Sequence, residues 1–174
     1  MIKNRLNLNK RRKFNHYKVG FWIIAVTFIF FVIILYGNLS SDVDDLFRGM
    51  EYFLIPLTMG LMVTYYQYRN LEFKTIEIEG TILSNTQVIK STIKNLKWEI
   101  ASMSTSKFEV INPDTDFRTF GDELITIIPE NNKILVNSIC NVDGKSSQVF
   151  SWGKNKQNIK VLKNEIEKVK ESRN

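Results

Sequence analysis

This 174-residue chain has one cysteine, one histidine, three prolines and eight glycines, and each scarcity excludes something. Cys140 has no second cysteine to pair with, so no intrachain disulfide can form. His16 lies ahead of the first long apolar run, which leaves everything after it without an imidazole. A Ser-His-Asp triad and the common Cys/His zinc frameworks are thereby ruled out for the rest of the chain. The glycines are scattered; Gly144 and Gly153 stand alone as turn residues, and no glycine-rich loop could cradle a phosphate. No activated nucleophile or acid/base pair can be read. The expectation is a protein that is not an enzyme, with no catalytic residues, no cofactor and no metal.

Charge is missing from two long stretches, and these dominate the reading. Val19–Tyr36 is VGFWIIAVTFIFFVIILY and Tyr52–Tyr68 is YFLIPLTMGLMVTYYQY. A bilayer core about 30 Å thick needs roughly 20 predominantly apolar residues in a helix. Both runs are therefore expected to cross a membrane, the second narrowly. The domain plan is a basic cytoplasmic tail (1–18), a transmembrane helix (19–37), a short acidic extracytoplasmic loop (38–50), a second transmembrane helix (51–69) and a cytoplasmic domain (70–174).

Acidic residues are absent from the first 18 positions, which hold Lys3, Arg5, Lys10, Arg11, Arg12, Lys13 and Lys18. The loop after the first run has Asp42, Asp44, Asp45 and Glu51 against Arg48 alone. Lysine and arginine near span ends mark the cytoplasmic side. Both termini are thus expected inside, at the inner membrane, with the basic tail drawn to anionic headgroups rather than to nucleic acid. The first run is longer than a typical signal core, and no small-x-small cleavage site follows it. Neither run has an ionisable residue in its middle, which argues against a transporter. Gly60 and Thr64 form a small-xxx-small pair that lets another helix approach closely. An anchor is expected over a homo-oligomeric pore lined by Thr27, Thr58 or Thr64.

The remaining residues read as an α+β domain: a mostly antiparallel sheet with a short helix and a C-terminal helix. Phe73–Glu79 alternates Ile76 and Ile78 with glutamates, the period-2 signature of a half-buried strand. Ser84 and Gln87 are spaced as a capping box for a helix over Thr86–Lys97. Strands are expected at Trp98–Ser102, Lys107–Ile111, Glu123–Ile128, Lys133–Cys140 and Gln148–Trp152, with Pro129–Asn132 a hairpin turn and Asp143-Gly144 a second turn. A final helix from about Lys156 spaces Ile159, Leu162, Ile166 and Val169 at 3-4-3, too briefly for a coiled coil.

Three polar groupings are candidates for chemistry. Arg11 and His16 have an R-x4-H spacing seen in some RNases, but they lie in the basic tail beside the membrane. Asp114, Asp116, Asp122 and Glu123 read as a solvated acidic loop rather than a cation site. The third is Trp152-Gly153-Lys154-Asn155-Lys156, where a strand turns into the last helix. Asn155 is a natural N-cap. The amides at that helix N-terminus, with Lys154 and Lys156, could hold an anion such as a nucleotide phosphate. Lys154, Asn155 and Lys156 are the candidate ligand-binding residues.

The segments LKWEI, FGDELITIIP, KILVNSIC and FSWGKNKQNI resemble a small α+β domain of uncharacterised bacterial membrane-anchored proteins, over about residues 80–168. Its pattern ends in an aromatic-Gly-Lys-Asn-x-x-Asn corner; the resemblance implies a fold and a bacterial origin and brings no activity. The layout of two spans before a strand-rich domain also resembles that of two-transmembrane, β-rich effectors of cyclic-oligonucleotide anti-phage systems, a likeness of plan alone. The expected function is a non-catalytic, membrane-anchored cytoplasmic domain that recruits or senses a partner, in contact with the bilayer and with a protein partner or further copies through the spans. The alternative is a ligand-gated, membrane-disrupting effector triggered by an anionic nucleotide.

Overall fold

The computed structural model describes residues 5–37, 43–104, 106–113, 122–141, 143 and 153–172. The chain forms two units: Asn9–Arg69, and Met1–Leu8 together with Asn70–Asn174.

The first unit is a helical hairpin of α1 (Lys10–Gly37) and α2 (Val43–Arg69). Asn9 starts α1 by accepting from the Arg12 amide through its side chain at 2.8 Å, an N-cap that satisfies one of the orphan donors of the first turn. Positions 10–18, expected as a tail, are therefore helical. Antiparallel packing follows from the contacts. Gly20 faces Thr64 and Gln67, Gly60 faces Ile23 and Ile24, and the Phe31 and Phe53 rings lie 4.3 Å apart. The small pair Gly60/Thr64 thus receives α1 of the same chain. Thr27, Thr58 and Thr64 each donate their hydroxyl to a carbonyl three or four residues back in their own helix, which leaves these groups satisfied without solvent.

Only α1, over Lys10–Tyr36, is long and apolar enough to cross a membrane among the described residues. Two such helices were expected. Helix α2 starts at Val43 rather than 51, and the difference lies in its uncharged run, Tyr52–Tyr68, which four tyrosines and Gln67 make less apolar than that of α1. The α2 run is also interrupted by Pro56.

The second unit is α+β, as expected, with one five-stranded antiparallel sheet. Its strands are β1 (Lys74–Glu77), β2 (Glu99–Ser104), β3 (Lys107–Asn112), β4 (Glu123–Glu130) and β5 (Lys133–Cys140), in the order β1-β5-β4-β3-β2. Helices α3 (Ile82–Asn95) and α4 (Lys154–Glu171) complete it. Phe108 and Val110, Ile125 and Ile127, Ile134 and Val136 form the apolar rows of one sheet face. Val88, Ile89 and Ile93 of α3 and Leu162, Ile166 and Val169 of α4 close over them. The 3-4-3 stripe of α4 is thus spent within its own unit. A side chain such as Phe108, fully buried, contributes about 1.5–3 kcal/mol by leaving water.

Local chemistry shifts two helix starts. Thr81 caps α3 by accepting from the Ser84 amide, so α3 begins four residues before the expected Thr86. The β4–β5 turn supports that start, since the Asn131 side chain accepts from the Ile82 amide and Asn85 donates to the Glu130 carbonyl. The turn itself is Asn131-Asn132, and Pro129 belongs to β4, paired with Ile134. Asn132 has φ 59°, a left-handed conformation that asparagine tolerates. Helix α4 begins at Lys154, two residues before the expected Lys156. The strand expected at Gln148–Trp152 lies outside the described residues.

Candidate functional site

One end of the helix-covered sheet face changes character. Along β3, β4 and β5 the inward positions are apolar until the last two cross-strand rows. In the first of these, Val110 pairs with Ile125 and Ile125 with Ser138; in the outermost, Asn112 pairs with Glu123 and Glu123 with Cys140. The period-2 alternation sends all of these side chains to the face that α4 covers.

The N-terminal turns of α4 meet this polar end. The Asn112 amide donates to the Asn158 side-chain oxygen at 2.9 Å, and the Asn158 amide donates to Ser138 Oγ at 3.2 Å. Ser138 Oγ in turn reaches Asn155 Oδ1 at 3.5 Å. Asn158, Ser138 and Glu123 are buried. A chain of this kind fixes how α4 sits on the sheet, because each buried polar group left unmatched costs about 1–3 kcal/mol.

Asn155, expected as the N-cap of α4, has another role. Gly153 is the N-cap, with φ 86° and no side-chain bond, and it carries the left-handed conformation at which a side chain would be strained. Asn155 stands one position inside the helix and turns to Ser138. Of the other candidate ligand residues, Lys154 is half-buried and Lys156 is exposed. Trp152, the aromatic member of the corner, lies outside the described residues, as do Asp114 and Asp116 of the acidic loop.

Cys140 sits 3.7 Å from Glu123 Oε1, to which its thiol donates. Burial comes first among the causes that push the thiol up to about 12, followed by the Glu123 carboxylate; the Lys154 charge works weakly the other way. The thiol therefore stays protonated at neutral pH, which makes it a poor nucleophile. Cys140 is thus a half-buried hydrogen-bond donor. No group of three His, Cys, Asp or Glu side chains among the described residues could hold a metal ion.

Arg11 and His16 do not form a joint site. Five residues apart on a helix they point about 140° away from each other. His16 Nε2 lies 2.9 Å from the Gln67 carbonyl within the hairpin. Sequence reasoning overlooked Asn112, Ser138 and Asn158 and placed Glu123 in a solvated acidic loop, whereas it is a buried residue of β4; a signal was nevertheless present. Each is a polar residue at an inward position of an otherwise apolar period-2 or i, i+4 pattern.

No protein-family model, curated protein or solved structure matches this chain.

Proposed function

We propose that this is a bacterial inner-membrane protein in which both α1 and α2 lie in the bilayer as a hairpin. Its α+β unit faces the cytoplasm as a binding or sensing domain without catalytic activity. The observation that carries the reading is the exposure of the hairpin's apolar surface. Only 11% of the most apolar window of α1 is buried, with Trp22, Phe28, Phe30 and Ile33 each about 60% exposed. The core helix of a water-soluble protein has the opposite pattern, and a contiguous apolar surface of this extent requires a cover. Helix α2 shares the character, with Ile55, Met59, Leu61 and Met62 exposed.

The bridge between Arg5 and Glu72 supports one side for both connections to the hairpin. The basic start of α1 supports the cytoplasm as that side. Membrane fractionation with an alkaline wash tests the embedding: the chain should stay with the lipid. A reporter active only in the periplasm, fused after Asn174, should be silent, and a bright signal would overturn the orientation.

The effector reading shares the hairpin and adds a ligand at the start of α4. The polar rows beneath α4 favour a polar ligand there. The buried Glu123 carboxylate beside Cys140, at the same end of the sheet, disfavours phosphate, so the anchored binding domain is the reading we adopt.

A further inference from the structure

The hairpin has a groove whose lining is sorted by position. On α1 it is formed by Lys10, Lys13, Phe14, Tyr17 and Phe21, and on α2 by Leu61, Thr64, Tyr65 and Tyr68. These are i, i+3, i+4, i+7, i+11 on one helix and i, i+3, i+4, i+7 on the other, a single stripe of each. The two lysines come at the start of α1, and from Phe14 onward the α1 wall is aromatic. The volume is about 700 Å³, within the roughly 300–1,000 Å³ of small-molecule sites.

Two features identify the occupant. From Lys10 to Phe21 the helix rises about 16 Å at 1.5 Å per residue, close to half of the ~30 Å hydrocarbon core and thus to one leaflet. The second is the charge at the start of α1. Lys10, Arg11, Arg12 and Lys13 occupy its first turn, which itself holds no acidic residue. Cations there oppose the positive end of the helix dipole and one another, an arrangement that an outside anion relieves. Asn9 satisfies the Arg12 amide, while the Lys10 and Arg11 amides lie in the turn that helices offer to anions.

We infer that this groove binds one anionic phospholipid, its phosphate at Lys10 and Lys13 and an acyl chain along Phe14, Tyr17, Phe21, Leu61 and Tyr65. The inference rests on the membrane reading above and adds a site to it. Phosphatidylglycerol is the simplest lipid with the required chemistry. Tyrosine suits such a wall, since its apolar ring can line the acyl chain while its polar tip turns toward the headgroups.

The test uses the full chain purified in detergent with mixed phosphatidylglycerol and phosphatidylcholine, with bound lipid counted by native mass spectrometry. One phosphatidylglycerol per chain should be retained in preference to phosphatidylcholine. Lys10→Gln with Lys13→Gln should lower that retention about tenfold or more. Arg11→Gln with Arg12→Gln removes the same charge from residues that do not line the groove, and it should change retention far less. Glycerol phosphate, a headgroup without chains, should not compete. Equal retention of both lipids, or equal losses in the two double variants, would overturn the site while leaving the membrane hairpin standing. Competition by glycerol phosphate would also overturn it, in favour of a free-anion site. A chain that fractionates as water-soluble would overturn the site and the membrane reading together.

Discussion

Arg5 and Glu72 are 67 positions apart in the chain and form an ion pair of 2.8 Å. They face each other in an antiparallel bridge, and next to them the Leu6 amide donates to the Leu71 carbonyl at 2.8 Å. The Asn137 side chain holds the same strand by donating to the Asn70 and Glu72 carbonyls. The residues just before α1 and just after α2 are thereby fastened into one unit. The segments that enter and leave the hairpin therefore run side by side.

That geometry makes a crosslink the direct test. Facing residues of an antiparallel pair have Cα atoms about 4.5–5.5 Å apart, within the roughly 4.4–6.8 Å that a disulfide spans. Arg5→Cys with Glu72→Cys should therefore oxidise to an intrachain disulfide in the intact protein, seen as a mobility shift that reductant reverses. Cys140 will compete poorly, since its thiol is held near 12. Absence of the crosslink would remove the same-side argument. The ion pair itself is partly exposed, at 40% and 25%, so Arg5→Ala should lower stability by under about 1 kcal/mol. The buried Leu6 should matter more, with Leu6→Ala costing about 2–5 kcal/mol.

The hairpin closes over two glycines. A Cβ on Gly20 would overlap Thr64 Oγ1, which is held by its bond to the Gly60 carbonyl. One on Gly60 would meet a lesser overlap, 2.8 Å from Ile24 Cγ1 and 3.1 Å from Ile23 Cγ2. Gly20→Ala should destabilise the hairpin by about 1–3 kcal/mol, the usual range for overpacking, and Gly60→Ala by less. Combining Gly20→Ala with Thr64→Ala should restore part of the loss, which thermal unfolding of the full chain in detergent would read as non-additivity.

Much of this was legible in the sequence because it rests on periodicity. The limits of β5 match the alternation of Lys133–Cys140, and the α4 stripe marked the residues that enter the core. Helix starts were harder, because several residues can cap. Thr81 precedes the Ser84–Gln87 pair and wins, since the β4–β5 turn also satisfies the Ile82 amide. Asn155 looked like a cap, but Ser138, 17 positions earlier, takes its side chain. No local pattern announces a partner at that distance. The Arg5–Glu72 bridge and the groove stripe of α2 are invisible for the same reason.

Cys140 gives a pH prediction with a definite sign. Its thiol is raised from 9.0 to about 12 in the folded protein. Below pH 9 both folded and unfolded states hold the proton. Between 9 and 12 only the folded state does, so this group's contribution to stability is full below 9 and falls as pH rises through 12. At pH 9 alkylation of the native chain should be slower than that of the denatured chain by roughly two to three orders of magnitude, following the thiolate fraction. As Cys140 is the only cysteine, total labelling reports it alone. Glu123→Gln removes a carboxylate that holds the thiol up, so it should speed native alkylation. An unchanged rate would mean that burial alone sets the thiol.

A nucleotide panel discriminates the anchored binding domain from the gated effector. A ligand that binds only the folded state at a hundredfold excess over its dissociation constant adds about 2.7 kcal/mol, an easily measured rise in melting point. If phosphate docks at the start of α4, charge-assisted bonds from Lys154 and Lys156 are the available contacts. The buried Glu123 lies at the same end of the sheet, and Asn155 is already engaged with Ser138. We therefore expect cyclic di- and trinucleotides to leave the melting point of the full chain in detergent unchanged. A rise abolished by Lys154→Ala with Lys156→Ala would establish the effector's ligand site at α4 and reverse our preference. A rise that survives the double substitution would keep a sensing role but move its site away from these lysines, and the polar rows would then be read as structure alone.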